Sequence, residues 1–139
     1  MAPITLVDRL PGPADYNRLR EAVGWGLYPL SLIEPALSHS LYGVCALVEG
    51  KVVGMARVIG DGGLAYHVHD VAVLPGYQRQ GIGTGLMDRV MAYLSEHAPP
   101  GAMVGLMAAQ GKEPFYARYG FVRRPNEQYG CGMILFWPP

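Results

Sequence analysis

The order of elements along the chain predicts an α/β (or α+β) fold, a mixed and mostly antiparallel central sheet of about six to seven strands with helices on both faces. Three observations predict it. Apolar runs of strand length are interleaved with segments of helical spacing. Two early strand runs are joined by a three-residue turn, which reads as a hairpin. The later part of the chain then runs strand, helix, strand, helix, strand, which covers a sheet on two sides. At 139 residues the chain has the length of one domain, expected over 1–139.

Each element has its own local signal. Ile4 to Asp8 alternate weakly and read as a first strand. Ala14 to Val23 has helical spacing, with Tyr16, Leu19 and Val23 on one face, and Gly24, Gly26 and Pro29 break it. Ser31 and Glu34 make a capping-box pair at the head of a short helix to Ser38. Leu41 to Val48 and Val52 to Ile59 are strand-like runs joined by Glu49-Gly50-Lys51, and Asp61-Gly62-Gly63 is a second turn into the apolar run Leu64 to Leu74. A long helix spans about Gln80 to His97, with Ile82, Leu86, Val90, Tyr93 and Leu94 on its apolar stripe, and Pro99-Pro100-Gly101 stops it. Met103 to Ala108 reads as a strand, Glu113 to Tyr119 as a short helix ended by Gly120, and Cys131 to Trp137 as a last strand.

Composition excludes several classes. Half of the residues are apolar and 16% are charged, which is globular. Eleven basic residues balance eleven acidic ones, so no excess charge is available for binding nucleic acid. Apolar stretches stop short of the ~20 residues that a membrane span needs, and no membrane partner is expected. The opening MAPITLVDRL carries Asp8 and Arg9 and no apolar signal core, so a cytoplasmic location is expected. Cys45 and Cys131 lack metal-ligand spacing; pairing is the alternative, and buried free thiols are expected.

The chemistry is concentrated between residues 64 and 86. An apolar strand meets a turn at Pro75-Gly76 and then a glycine-rich entry into an amphipathic helix. The first-turn amides of a helix have no partner inside it, and the helix dipole adds partial positive charge there. Gly81 and Gly83 let an anion approach those amides, and Arg79 adds a full positive charge. A phosphate-bearing ligand suits this entrance. The Walker pattern is absent, and a dinucleotide fingerprint would need glycine where Leu86 stands.

Gln78-x-x-Gly81-x-Gly83 after Val71-Ala72-Val73-Leu74-Pro75 resembles the acetyl-CoA motif of the GNAT superfamily of N-acetyltransferases. Phe115-Tyr116-Ala117-Arg118-Tyr119-Gly120-Phe121 resembles that superfamily's second hallmark, in the family's order and at about its separation. The resemblance implies the single-domain acetyltransferase fold and acetyl-CoA as co-substrate. It implies that backbone groups of the strand Val71, Ala72 and Val73 pair with the pantetheine arm. Amides from Gln78 through Arg79, Gln80, Gly81, Ile82 and Gly83 to Thr84 would cradle the diphosphate. Tyr116 would protonate the leaving thiolate, and a phenol with pKa ≈ 10 suits that task. The asparagine that many relatives carry after the fifth strand is replaced here by Ala108-Ala109-Gln110-Gly111-Lys112, which leaves the contact to Gln110, Lys112 or backbone. A homodimer through the final strands is a further implication of the resemblance.

Acetyl transfer needs an unprotonated amine, hence a base. His69 and Asp70 are the candidates; strand alternation sets them on opposite faces unless a bulge intervenes. The alternative reading makes them ordinary polar residues of a strand edge. His67 and His69 could share a metal as alternate strand residues, but no further ligand is spaced to complete a site, and no metal is expected. Trp25, Tyr28 and Tyr129 are the candidate acceptor-binding residues, in an acceptor pocket expected between the Trp25–Ser31 loop and the Arg123–Gly132 segment. The expected activity is transfer from acetyl-CoA to the primary amine of a small molecule by direct attack on the thioester. The alternatives are a protein or peptide N-acetyltransferase, a non-catalytic acetyl-CoA-binding module, and use of another acyl donor.

Overall fold

The computed structural model describes residues 2–139. Strands β1 (Ile4–Val7), β2 (Tyr42–Val48), β3 (Lys51–Gly60) and β4 (Ala65–Val73) pair antiparallel in succession. Strand β5 (Met103–Leu106) completes a five-stranded mixed sheet in the order β1-β2-β3-β4-β5. It joins at the start of β4, where the Met103 N–H donates to the Leu64 carbonyl at 2.9 Å. The described residues also form four α-helices: α1 (Pro13–Ala22), α2 (Leu30–Ser38), α3 (Ile82–His97) and α4 (Glu113–Ala117). Residues up to Gly105 form one compact unit, and Leu106–Pro139 form a second.

In the first unit, turn chemistry sets the register. Glu49 and Gly50 both have positive φ, at 51° and 77°, as a two-residue hairpin turn between Val48 and Lys51 demands. At the next turn, Asp61 Oδ1 accepts from the N–H groups of Gly63, Leu64 and Ala65 at 2.8, 2.9 and 3.1 Å. Those three bonds hold the Asp61 carboxyl below the usual carboxylate range. Alternation along the strands then feeds two opposite layers. Cys45, Val52, Met55 and Ala72 pack with Tyr16 and Leu19 of α1 and Ile33 and Leu37 of α2. Gly54, beside Met55, faces the other way, and a Cβ there would meet Ile82 at 3.0 Å and Leu86 at 3.2 Å. Helix α3 thus lies close against that face, while α1 and α2 cover the other.

Several boundaries differ from those the periodicity suggests. Helix α2 begins at Leu30 after Pro29, with no side-chain cap, so Ser31 and Glu34 do not form the expected capping box. Pro29 is the N-cap residue (φ −57°, ψ 136°), which puts Ser31 inside the first turn and not at the cap position. Helix α3 begins at Ile82 and not at Gln80, because Arg79 and Gly81 adopt positive φ (63° and 83°). Helix α4 closes at Ala117.

The second unit differs most from expectation. After α4, no helix or strand occurs among residues 118–139, so the expected last strand Cys131–Trp137 is absent and the sheet has five strands, not six to seven. A strand exists only with a hydrogen-bonded neighbour, and this run has none. Its apolar side chains are accordingly exposed, Trp137 at 82%, and Cys131 is exposed where a buried thiol was expected. Within the unit, Phe115 meets Tyr116 and Tyr119 edge-on, with ring centroids at 5.0 and 5.6 Å. Asn126 closes a local turn, accepting from the N–H groups of Gln128 and Tyr129 at 2.9 Å each. No helix among the described residues is long and apolar enough to cross a membrane.

Candidate active site

The glycine-rich entrance is built by the link from β4 to α3. Leu74 leads into a 3-10 turn over Pro75–Tyr77, and the Gln78 side-chain amide reaches back to the Val73 carbonyl at 3.0 Å. Gly81 is the N-cap of α3 in the left-handed conformation, with nothing beyond its chain neighbours within 4 Å of where a Cβ would stand. The first bond of the helix runs from the Gly85 N–H to the Gly81 carbonyl at 3.0 Å, so the amides of Ile82 and Gly83 precede the helical ladder. A sixteen-residue helix therefore begins with amides outside its own ladder, at an open glycine two residues after the exposed Arg79. That arrangement suits an anionic diphosphate.

Strand β4 carries a bulge at the residues singled out as bases. Met55 pairs with Ala72 but Arg57 pairs with His69, so β4 holds one residue more than β3 between those pairs. Asp70 takes up the extra residue with φ at 56°. The bulge overrides strict alternation and brings the His69 imidazole within 3.7 Å of the Asp70 carboxylate. Asp70 is buried, at 7% exposure, and is bonded by three side chains from two other elements, α1 and β3. Its Oδ2 accepts from the Tyr16 hydroxyl at 2.8 Å and from Arg57 Nε at 2.7 Å, and its Oδ1 pairs with Arg20 Nη1 at 3.2 Å. Burial, with the neighbouring carboxylate second, pushes the Tyr16 phenol up to about 12. Desolvation depresses the His69 pKa below its ordinary value, against the pull of Asp70 and with the help of Arg57 and Arg20. His69 is neutral at pH 7.

A pocket of about 270 Å³ opens over this cluster, lined by Tyr16, Tyr28, Arg57 and His69 and by the α2 side chains Leu32, Ile33, Ala36 and Leu37. Arg20 braces one wall: its guanidinium lies 4.7 Å from the Tyr28 ring centroid and 5.4 Å from that of Trp25. Asn17 pins the loop, donating to the Tyr28 carbonyl at 2.8 Å and accepting from its N–H at 3.2 Å. Of the expected acceptor-binding residues, Tyr28 lines the pocket, Trp25 stacks on Arg20 behind it, and Tyr129 lies in the second unit beside Arg124. Tyr116 also lies in the second unit, and burial pushes its phenol up to about 12. His67 stands beside His69, with ring centroids 5.3 Å apart, and no group of three metal-ligating side chains occurs among the described residues.

Three residues of this site have no signal in the sequence motifs. Tyr16 reads as a core residue of a helix, and Arg20 and Arg57 belong to no motif. Only the sheet register and the packing of α1 bring them to Asp70. A single arginine in a strand otherwise apolar from Val52 to Ile59 was the one available signal for Arg57.

The acetyltransferase (GNAT) domain family matches residues 32–137. An uncharacterized N-acetyltransferase ycf52 from Porphyra purpurea is 27% identical over 90% of this chain and 71% of its own length. A Glycine max protein named as a histone acetyltransferase is 32% identical over 90% of this chain, which spans 56% of that protein. Among solved structures, a GNAT-family acetyltransferase from Streptococcus pneumoniae superposes with a TM-score of 0.77 at 36% identity, covering 99% of this chain and 100% of its own. A probable acetyltransferase of unknown function from meticillin-resistant Staphylococcus aureus superposes with a TM-score of 0.88 at 28% identity, covering 96% and 100%. The glycine-rich helix entrance and the bulged strand beside it are thus parts of an acyltransferase, and the chain belongs to the GNAT acetyltransferase family.

Proposed function

We propose that this acyltransferase moves the acetyl group of acetyl-CoA onto the primary amine of a small molecule, with His69 as the base. The observation that carries the reading is His69 on the wall of a small pocket whose remaining lining is largely apolar, where desolvation favours the neutral imidazole. A volume of about 270 Å³ suits a compact amine better than a length of peptide. The helix entrance at Arg79 to Gly83 would hold the diphosphate, and backbone of Val71 to Val73 the pantetheine arm.

In the proposed reaction, His69 accepts a proton from the acceptor ammonium, directly or through water. The amine nitrogen attacks the thioester carbonyl, a C–N bond forms, and the C–S bond breaks. The electron pair leaves on the sulfur of coenzyme A, and the second proton shed by the nitrogen passes through water to that thiolate. Tyr116 is the proposed donor to that sulfur, on the strength of its motif. With a phenol at about 12, hydrogen bonding to the thiolate is favoured over full proton transfer to it. Asp70 is better suited to positioning than to proton abstraction, since Tyr16, Arg20 and Arg57 already occupy its oxygens.

The name of the soybean relative favours a second reading, a protein acceptor. Assaying thiol release from acetyl-CoA with matched panels of small amines and lysine peptides separates the two. Small-amine turnover is expected; turnover confined to peptides would overturn the reading, and acetyl-CoA binding without any turnover would make the chain a cofactor-binding module.

A further inference from the structure

We infer that the acceptor is an amino acid with an apolar side chain, its carboxylate received by Arg57 and its amine presented to His69; this rests on the acetyltransferase reading above. The first support is a charge count. Two guanidinium groups, Arg20 and Arg57, share one carboxylate, Asp70, while His69 and the Tyr16 phenol are neutral. The cluster therefore keeps one uncompensated positive charge, and the side chains of both arginines are largely buried, at 13% and 12% exposure. An unopposed buried charge is costly, and an arriving anion offsets it. A plain alkylammonium, by contrast, would add a second positive charge.

The second support is position. Arg20 is occupied behind the wall, donating to the Gly26 carbonyl at 2.7 Å and lying over aromatic rings, and it does not line the pocket. Arg57 does line it. Asp70 and Ser40 engage its Nε and Nη1, at 2.7 and 3.1 Å, which leaves N–H groups of its five-donor fork for a ligand. Arg57 and His69 are register partners on β3 and β4, so their Cβ atoms stand roughly 5 Å apart. Groups read by such neighbours must themselves be close, as the amine and carboxylate of an amino acid are. Opposite them, Leu32, Ile33, Ala36 and Leu37 offer an apolar wall for the side chain.

The experiment uses the full chain, acetyl-CoA and matched pairs that differ only in the carboxylate: phenylalanine with 2-phenylethylamine, and leucine with 3-methylbutylamine. Thiol release gives kcat/KM for each, and calorimetry gives the affinity of each for protein saturated with coenzyme A. We expect the amino acid of each pair to be preferred by at least about tenfold, because a site built around a polar partner rejects the analogue that lacks it. In Arg57→Gln the ratio should fall toward one, with the loss carried by KM. An amine equal to or better than its amino acid, or binding of neither member, overturns the inference and leaves the acetyltransferase reading standing if any other amine is turned over. Failure to bind acetyl-CoA would overturn both.

Discussion

His69 owes its chemical state to its partial burial beside Asp70, Arg57 and Arg20. Desolvation keeps the imidazole neutral and moves its titration below the ordinary 6.5. A base must be unprotonated, so kcat should fall as pH drops through that lowered value and stay flat above it. His69→Gln should remove this acidic limb and lower kcat by about a hundredfold; a profile unchanged in shape would assign the proton to water or to the substrate alone. Tyr116→Phe should lower kcat by about ten- to a hundredfold while acetyl-CoA affinity, measured by titration, changes little. Tyr116 could be singled out from its surrounding motif, which is contiguous in the chain. The pairing of His69 with Asp70 could not, because alternation sets them apart and only the inserted residue in β4 reunites them.

At the scale of elements, helix α3 was legible because its apolar stripe is local and its stop is a Pro-Pro-Gly. Its start was less so, since Arg79 and Gly81 leave the helical region and delay it by two residues. Gly81 has φ at 83°, where a β-branched side chain is strained by about 1–2 kcal/mol. Gly81→Val should therefore lower the melting temperature and weaken acetyl-CoA binding at least tenfold; differential scanning and titration read the two effects. The run Cys131–Trp137 has the composition of a strand but lies unpaired. Pattern reports which residues would fit a sheet, whereas pairing depends on a neighbour that no local pattern encodes.

Across the whole first unit, Asp70 is where three elements meet. Tyr16 and Arg20 of α1 and Arg57 of β3 converge on one buried carboxylate from sequence separations of 54, 50 and 13 residues. Spacing along the chain carries no trace of such a meeting, which is why the sequence suggested a base at this position and not a hub. Asp70→Ala leaves two guanidinium groups facing each other without their shared anion. It should lower unfolding stability by about 3–5 kcal/mol, read as a shift in the urea midpoint; a shift below about 1 kcal/mol would mean that water replaces the carboxylate.

Acetyl-CoA binding depends, on this reading, on the entrance of α3 as a diphosphate cradle. Calorimetric titration with acetyl-CoA and with S-acetylpantetheine, which lacks the diphosphate, addresses that dependence most directly. Acetyl-CoA should bind at least a hundredfold more tightly, with the difference shrinking as salt rises. Equal affinity for the two thioesters would contradict it.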